Sequence, residues 1–162
     1  MQPLPSLRPD VGTDVHDCFI ADLLHDFGKM VVAQFMPAEY RRAMEMSLWQ
    51  EVPLHQTLAE VIGVDHAAVG AMLADNWRFD PELVNAIRFQ HEPEQCDTDM
   101  MASVVATNQI SKQLGFDFGG CSVVQALCVS VAGRLGGSLG AVRSRLGNLE
   151  HLLQEAKLFS KI

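Results

Sequence analysis

His25 and Asp26 stand side by side in the apolar stretch Leu23-Leu24-His25-Asp26-Phe27-Gly28-Lys29. A neutral imidazole next to a carboxylate is a donor pair suited to divalent metals such as Mn, Fe and Zn. Placing that pair among apolar side chains costs free energy unless a partner compensates it. Helical phase turns further histidines toward the same interior. His25 shares a face with Cys18, Ala21, Gly28 and Val32, His66 with Val69, Gly70, Leu73 and Trp77, and His91 with Val84 and Ile87. Glycines one turn from His25 and His66 leave room for another helix or an ion. Any one of these rings, alone, is more often a core histidine hydrogen-bonded to a carbonyl. Three on separate helices, with Asp26 adjoining the first, point to a shared metal site of His25, Asp26, His66 and His91.

The remaining polar residues sort by the same geometry. Asp22, one turn before Asp26, either joins the site or faces water. Lys29 is either a solvated helix residue or an anion contact close to the metal. His16 lies nine residues before His25, half a turn out of phase, and should face away. His55, two residues after Pro53, and His151, in a charged last helix, read as surface or capping residues. Trp49 and Trp77 read as core anchors, and the methionines as ordinary packing.

Stop and start signals divide the chain into helices. Residues 1–13, with three prolines and Gly12, form an irregular leader, and residues 14–162 form one domain. A helix is expected from Asp14 to Phe35 with the His-Asp pair in its middle. Pro37 opens a second in a first-turn position. Pro53 starts a third that ends near Gly63. Asp65 caps one running to Trp77, and Asp80-Pro81 starts one reaching His91. Asp97 or Thr98 caps a long helix through Leu114. Further segments are expected over 122–135, 138–146 and 149–159, separated by glycine pairs. With no strand-type alternation, the fold class is all-α, a single-domain helical bundle.

Bulk properties exclude several classes. A net charge of -8 and a pI near 5.1 argue against a nucleic-acid phosphate binder. The apolar runs are too short for a membrane span, and no signal peptide opens the chain. The four cysteines form no CxxC pair and read as reduced thiols, Cys121 and Cys128 on one helical face, so a cytoplasmic location is expected. A hydrophobic content of 48% with mean hydropathy +0.10 is rich for a soluble domain of this size. That excess implies an apolar face covered by a protein partner, by a second copy in a homo-oligomer, or by a further part of the parent protein.

The phrases Ala21-Asp22-Leu23-Leu24-His25-Asp26-Phe27-Gly28-Lys29, Gly63-Val64-Asp65-His66-Ala67-Ala68-Val69-Gly70, Pro53-Leu54-His55 and Ala86-Ile87-Arg88-Phe89-Gln90-His91 resemble, in that spacing, the HD superfamily of metal-dependent phosphohydrolases. The closer resemblance is to HDOD domains, the HD-related output domains of bacterial signalling proteins, over about residues 15–115. It implies a helical bundle and a divalent metal (Mn, Fe, Mg or Zn) on His25, Asp26, His66 and His91. It also implies a nucleotide or cyclic nucleotide as substrate if the chain is an enzyme, with Asp26 and Lys29 as the catalytic candidates.

The departures from the catalytic pattern are specific. An earlier ligand-bearing helix is missing, and His16 is out of phase to replace it. The late aspartate should fall in Val104-Val105-Ala106-Thr107-Asn108-Gln109-Ile110, which offers only Thr107 and Asn108. The Gly-Tyr-Pro signature of cyclic-di-GMP phosphodiesterases is replaced by Glu92-Pro93-Glu94-Gln95-Cys96. HDOD domains also carry a helical first half that is not in this sequence, whether cut away or supplied by another chain. The resemblance therefore implies a non-catalytic signalling or interaction module with a residual His/Asp metal site. A metal-dependent phosphohydrolase and a purely structural domain are the alternatives.

Overall fold

A computed structural model describes residues 14–115 and 124–149, and among these every regular element is helical. The order is α1 (Val15–Leu24), α2 (Phe27–Phe35), α3 (Pro37–Gln50), α4 (Leu54–Ile62), α5 (His66–Asn76), α6 (Pro81–Arg88), α7 (Asp99–Gln113), α8 (Val129–Arg134) and α9 (Leu139–Arg145). A single 3-10 turn, Pro93–Gln95, lies between α6 and α7.

Several starts are those expected from the sequence. The Asp65 carboxylate accepts from the Ala68 N–H at 2.8 Å and the Asp80 carboxylate from the Glu82 N–H at 2.8 Å. The Thr98 hydroxyl accepts from the Met101 N–H at 3.2 Å. These bonds satisfy donors that a helix N-terminus leaves open. Gly63 ends α4 at φ +82°, a conformation that costs glycine little.

Helix α7 is buried at Met100, Met101, Ala102, Val104, Val105 and Ala106, positions that cover more than one face. It is therefore the central helix, with α1, α6, α8 and α9 packed around it. A second, smaller core of Val32, Ala43, Leu54 and Leu58 joins α2, α3 and α4. Helices α2 and α5 connect the two halves. They cross almost backbone to backbone: a Cβ at Gly28 would sit 1.9 Å from the His66 carbonyl oxygen, and one at Gly70 would sit 3.3 Å from the Gly28 nitrogen. The room left by these glycines is filled by a helix.

Four expectations need correction. The helix over 14–35 is two helices, broken at His25-Asp26. At the break the Lys29 N–H donates to the Asp26 carbonyl at 2.9 Å, one residue short of the α-helical partner. The His25 carbonyl, so released, accepts from Gln90 Nε2 at 2.6 Å. Second, α6 ends at Arg88, which places His91 in the turn that follows. Third, residues 124–128 are not helical, and α8 begins only at Val129. Fourth, Trp49 and Trp77 are not core anchors, being 84% and 54% exposed. The leader over 1–13, Cys121, His151 and the helix expected over 149–159 fall wholly or almost wholly outside the described residues.

Candidate functional site

The α1–α2 break, the start of α5 and the turn after α6 bring four of the sequence candidates together. His25 Nδ1 donates to the Asp22 carbonyl at 2.7 Å, since a carbonyl can only accept. That bond fixes the tautomer and leaves Nε2 with its lone pair, 3.4 Å from Asp26 Oδ2. His66, 1% exposed, places Nε2 3.2 Å from Asp26 Oδ1. His91 Nε2 meets His66 Nε2 at 3.1 Å, so one of the two nitrogens donates and the other accepts. Lys29 Nζ donates to Asp26 Oδ2 at 2.8 Å.

The contacts to the carboxylate differ in kind. Lys29 makes a directed hydrogen bond, whereas the two imidazoles stand at ion-pair distance without one. His25 Nε2 and Asp26 Oδ1 are buried with no hydrogen-bond partner among the described residues, as is His66 Nδ1. Unpaired buried atoms of this type are uncommon and costly.

Electrostatics separates the members further. Burial works against the Asp26 charge, but His25, His66 and Lys29 outweigh it and hold the carboxyl well below the usual range. Burial also disfavours the charged form of His25, yet Asp26 and Asp22 carry its net shift upward. His66 is shifted down by burial in spite of Asp26. His91 is pushed down to about 2, by burial first and then by His66 and His55. At neutral pH this leaves His91 uncharged.

Asp22 belongs to a different contact. Thr107 on α7 donates its hydroxyl to Asp22 Oδ2 at 3.3 Å, while Oδ1 has no partner among the described residues. Burial pushes this carboxyl up to about 6, against the opposing effects of His25, Thr107 and Ser103. His16 faces away as expected, its ring 86% exposed and paired with Asp14. His55 does not: it stacks on His91 with ring centroids 3.9 Å apart and planes 12° from parallel. Its place three residues before the buried Leu58 was a sequence signal for this. Gln90, 5% exposed, is a second residue that pattern reasoning passed over.

Imidazole and carboxylate are suitable donors, and the unpaired His25 Nε2 and Asp26 Oδ1 are atoms a cation could take. Among the described residues, however, no three His, Cys, Asp or Glu side chains are arranged to hold a metal ion. Asp26 already faces the Lys29 ammonium, and the His66 and His91 nitrogens face each other. As arranged, the set does not fit a resident metal.

A partly open cleft of about 450 Å³ adjoins the cluster on the His91 side, between the turn after α6, α7 and residues 125–128. Among the described residues, no single helix is long and apolar enough to cross a membrane.

A sequence profile of the HDOD domain matches residues 8–93, just over half of the chain. A Treponema pallidum protein named only "Uncharacterized protein" is 31% identical over 77 residues, covering 48% of this chain and 15% of its own length. A crystal structure from Shewanella amazonensis, described as a "Putative phosphohydrolase", superposes with a TM-score of 0.66 at 22% identity. The match covers 91% of this chain and 55% of that one, and at this identity it shows the fold alone.

Proposed function

The chain belongs to the HDOD domain family, and from that membership we propose a bacterial regulatory module that works by association rather than by turnover. The carrying observation is the Lys29–Asp26 pair at 2.8 Å. Metal-dependent hydrolysis needs a fixed cation on this carboxylate and an open position for activated water. Here the carboxylate is matched by an ammonium from its own helix turn. The α7 stretch that could add a further acid instead sends the Thr107 hydroxyl to Asp22.

In this reading the His25, Asp26, His66 and His91 cluster ties the α1–α2 break to α5 and to the turn after α6. A divalent ion binds weakly, in competition with Lys29. The signalling output is a protein contact. Its surface is the apolar exposure on α1, α2 and α3, where Leu23, Met30, Phe35, Leu48 and Trp49 are all more than 60% exposed. A protein partner or a second copy of the chain covers that face.

Manganese titration of the native protein and of Lys29→Met, followed by calorimetry, tests the reading. The native chain should bind weakly and the variant about tenfold more tightly, because it frees the carboxylate. Stoichiometric, tight manganese on the native chain would sink the proposal if it came with phosphodiester hydrolysis that Asp26→Ala abolishes. Such a result would establish a second reading, a metal-dependent phosphohydrolase. That reading is favoured by one observation, the buried His25 Nε2 and Asp26 Oδ1, which have no hydrogen-bond partner among the described residues. In it His25, Asp26, His66 and His91 hold the ion, and Lys29 steadies the substrate phosphate.

A further inference from the structure

The α1–α2 break is a small departure with a distant partner. His25 is still helical, at φ -56° and ψ -34°, but Asp26 lies at φ -98° and ψ 3°. In an unbroken helix the Lys29 N–H would donate to the His25 carbonyl. It donates to the Asp26 carbonyl instead, at 2.9 Å. The carbonyl this frees is taken by Gln90, whose Nε2 donates to it at 2.6 Å and to the Ile87 carbonyl at 3.3 Å. Gln90 is 5% exposed, so with that donor gone the His25 carbonyl would turn back to the Lys29 N–H.

Gln90 directly precedes His91, and this closes a ring of contacts. The path runs from Asp26 to His66 at 3.2 Å and from His66 to His91 at 3.1 Å. It crosses one peptide bond to Gln90, reaches His25 at 2.6 Å, and returns to Asp26 through a second peptide bond. Each member of a closed ring is restrained from two sides, so loosening one contact is felt at the others. The ring is also tied to the wall of the cleft. The Glu92 N–H donates to the Phe89 carbonyl at 2.8 Å and the Gln95 N–H to the Glu92 carbonyl at 2.9 Å. Residues 91–95, held by these bonds, line the cleft.

We propose that Gln90 is the positioning residue of this site, and that it couples the cleft-side turn over 91–95 to the Asp26–Lys29 pair. By holding the His25 carbonyl it keeps Asp26 out of helical register, which sets the carboxylate against His66 and Lys29. Displacing the turn draws Gln90 off that carbonyl, the Lys29 N–H takes its place, and α1 and α2 join. The inference holds whether or not the cluster takes up an ion.

The test is NMR of the full chain as native protein, Gln90→Met, Pro93→Gly and the double variant. Methionine keeps the length and burial of the glutamine but cannot donate. In the native chain a scalar coupling across the hydrogen bond should link Gln90 Nε2 to the His25 carbonyl carbon. Gln90→Met should move the Asp26 backbone carbon signals toward helical values. It should also displace the ring-nitrogen signals of His66 and His91, although the Gln90 amide bonds to neither ring. Pro93→Gly should shift the Asp26 and Lys29 signals, and that shift should be about threefold smaller in the Gln90→Met background. Three results would each overturn the inference. They are a native spectrum without the coupling, a folded Gln90→Met with native Asp26 signals, and a Pro93→Gly shift that is absent or equal in both backgrounds. The first of these requires no variant to fold.

Discussion

The two most unusual regions of this molecule invert the ordinary partition of side chains in opposite ways. At the α1–α2 break, imidazoles, a carboxylate and an ammonium gather inside, with His66 only 1% exposed. Across α1, α2 and α3, large apolar groups stand outside, with Trp49 84% and Phe35 80% exposed. The buried polar region is held by directional contacts over short distances, so a change of one atom there is felt at once. The exposed apolar region touches little within its own chain, so its substitution should leave folding nearly untouched. The difference separates what the fold needs from what an association needs.

Gly28→Ala should be the largest single disruption. Its methyl would overlap the His66 carbonyl and push apart the α2–α5 crossing that sets His66 beside Asp26. A loss of about 3 kcal/mol or more is expected in a urea midpoint, with an intact native fold at unchanged stability as the contrary result.

Acid should act next. The unfolded chain protonates His91 near its ordinary value of 6.5, whereas the folded chain holds it down to about 2. Fewer protons are bound in the folded state, so stability is whole above about pH 6.5 and falls as pH drops. His91 alone should remove about 2 kcal/mol by pH 5, and His91→Asn should flatten the curve there. Urea midpoints at pH 7 and pH 5 decide it.

Asp22 carries the opposite sign. Its carboxyl is raised to about 6 in the folded chain, so the protonated form is favoured on folding. Its contribution is intact below about pH 4 and is lost as pH rises through 6. Asp22→Asn should therefore gain about 1–2 kcal/mol at pH 7 relative to pH 4, since an amide oxygen still accepts from Thr107. Equal midpoint changes at the two pH values would remove this assignment.

The outer region should give the smallest stability effect. Phe35→Ser and Trp49→Ser are expected to change the urea midpoint by less than about 0.5 kcal/mol. If this face mediates association, both should shift sedimentation toward the monomer. A native chain that is monomeric at high concentration would break the comparison on this side.

Much of this arrangement was legible in the residues themselves. Asp65, Asp80 and Thr98 announced their helix starts through capping chemistry that acts over three residues. The inward phase of His66 followed from the apolar side chains one and two turns along its helix. The His-Asp pair marked the site by its own chemistry, because a buried carboxylate beside an imidazole requires partners. What escaped the reading was long-range. The α1–α2 break depends on Gln90, sixty-five residues away, taking up the His25 carbonyl. His55 looked like a surface residue until α4 and the turn after α6 stacked it on His91. Trp49 and Trp77 looked like core residues because residue type alone says nothing about which neighbour is present.

The sequence by itself determined the all-helical class, most helix starts and the identity of the polar cluster. Those properties rest on local terms: backbone propensity, caps and the 3.6-residue period. Only the tertiary structure decided which atom faces which, that Lys29 rather than a further acid answers Asp26, that Asp22 pairs with Thr107, and that a cleft opens beside His91. Such outcomes depend on crossings like that of Gly28 with Gly70, where separations of a few tenths of an ångström fix the result and no short-range rule reaches.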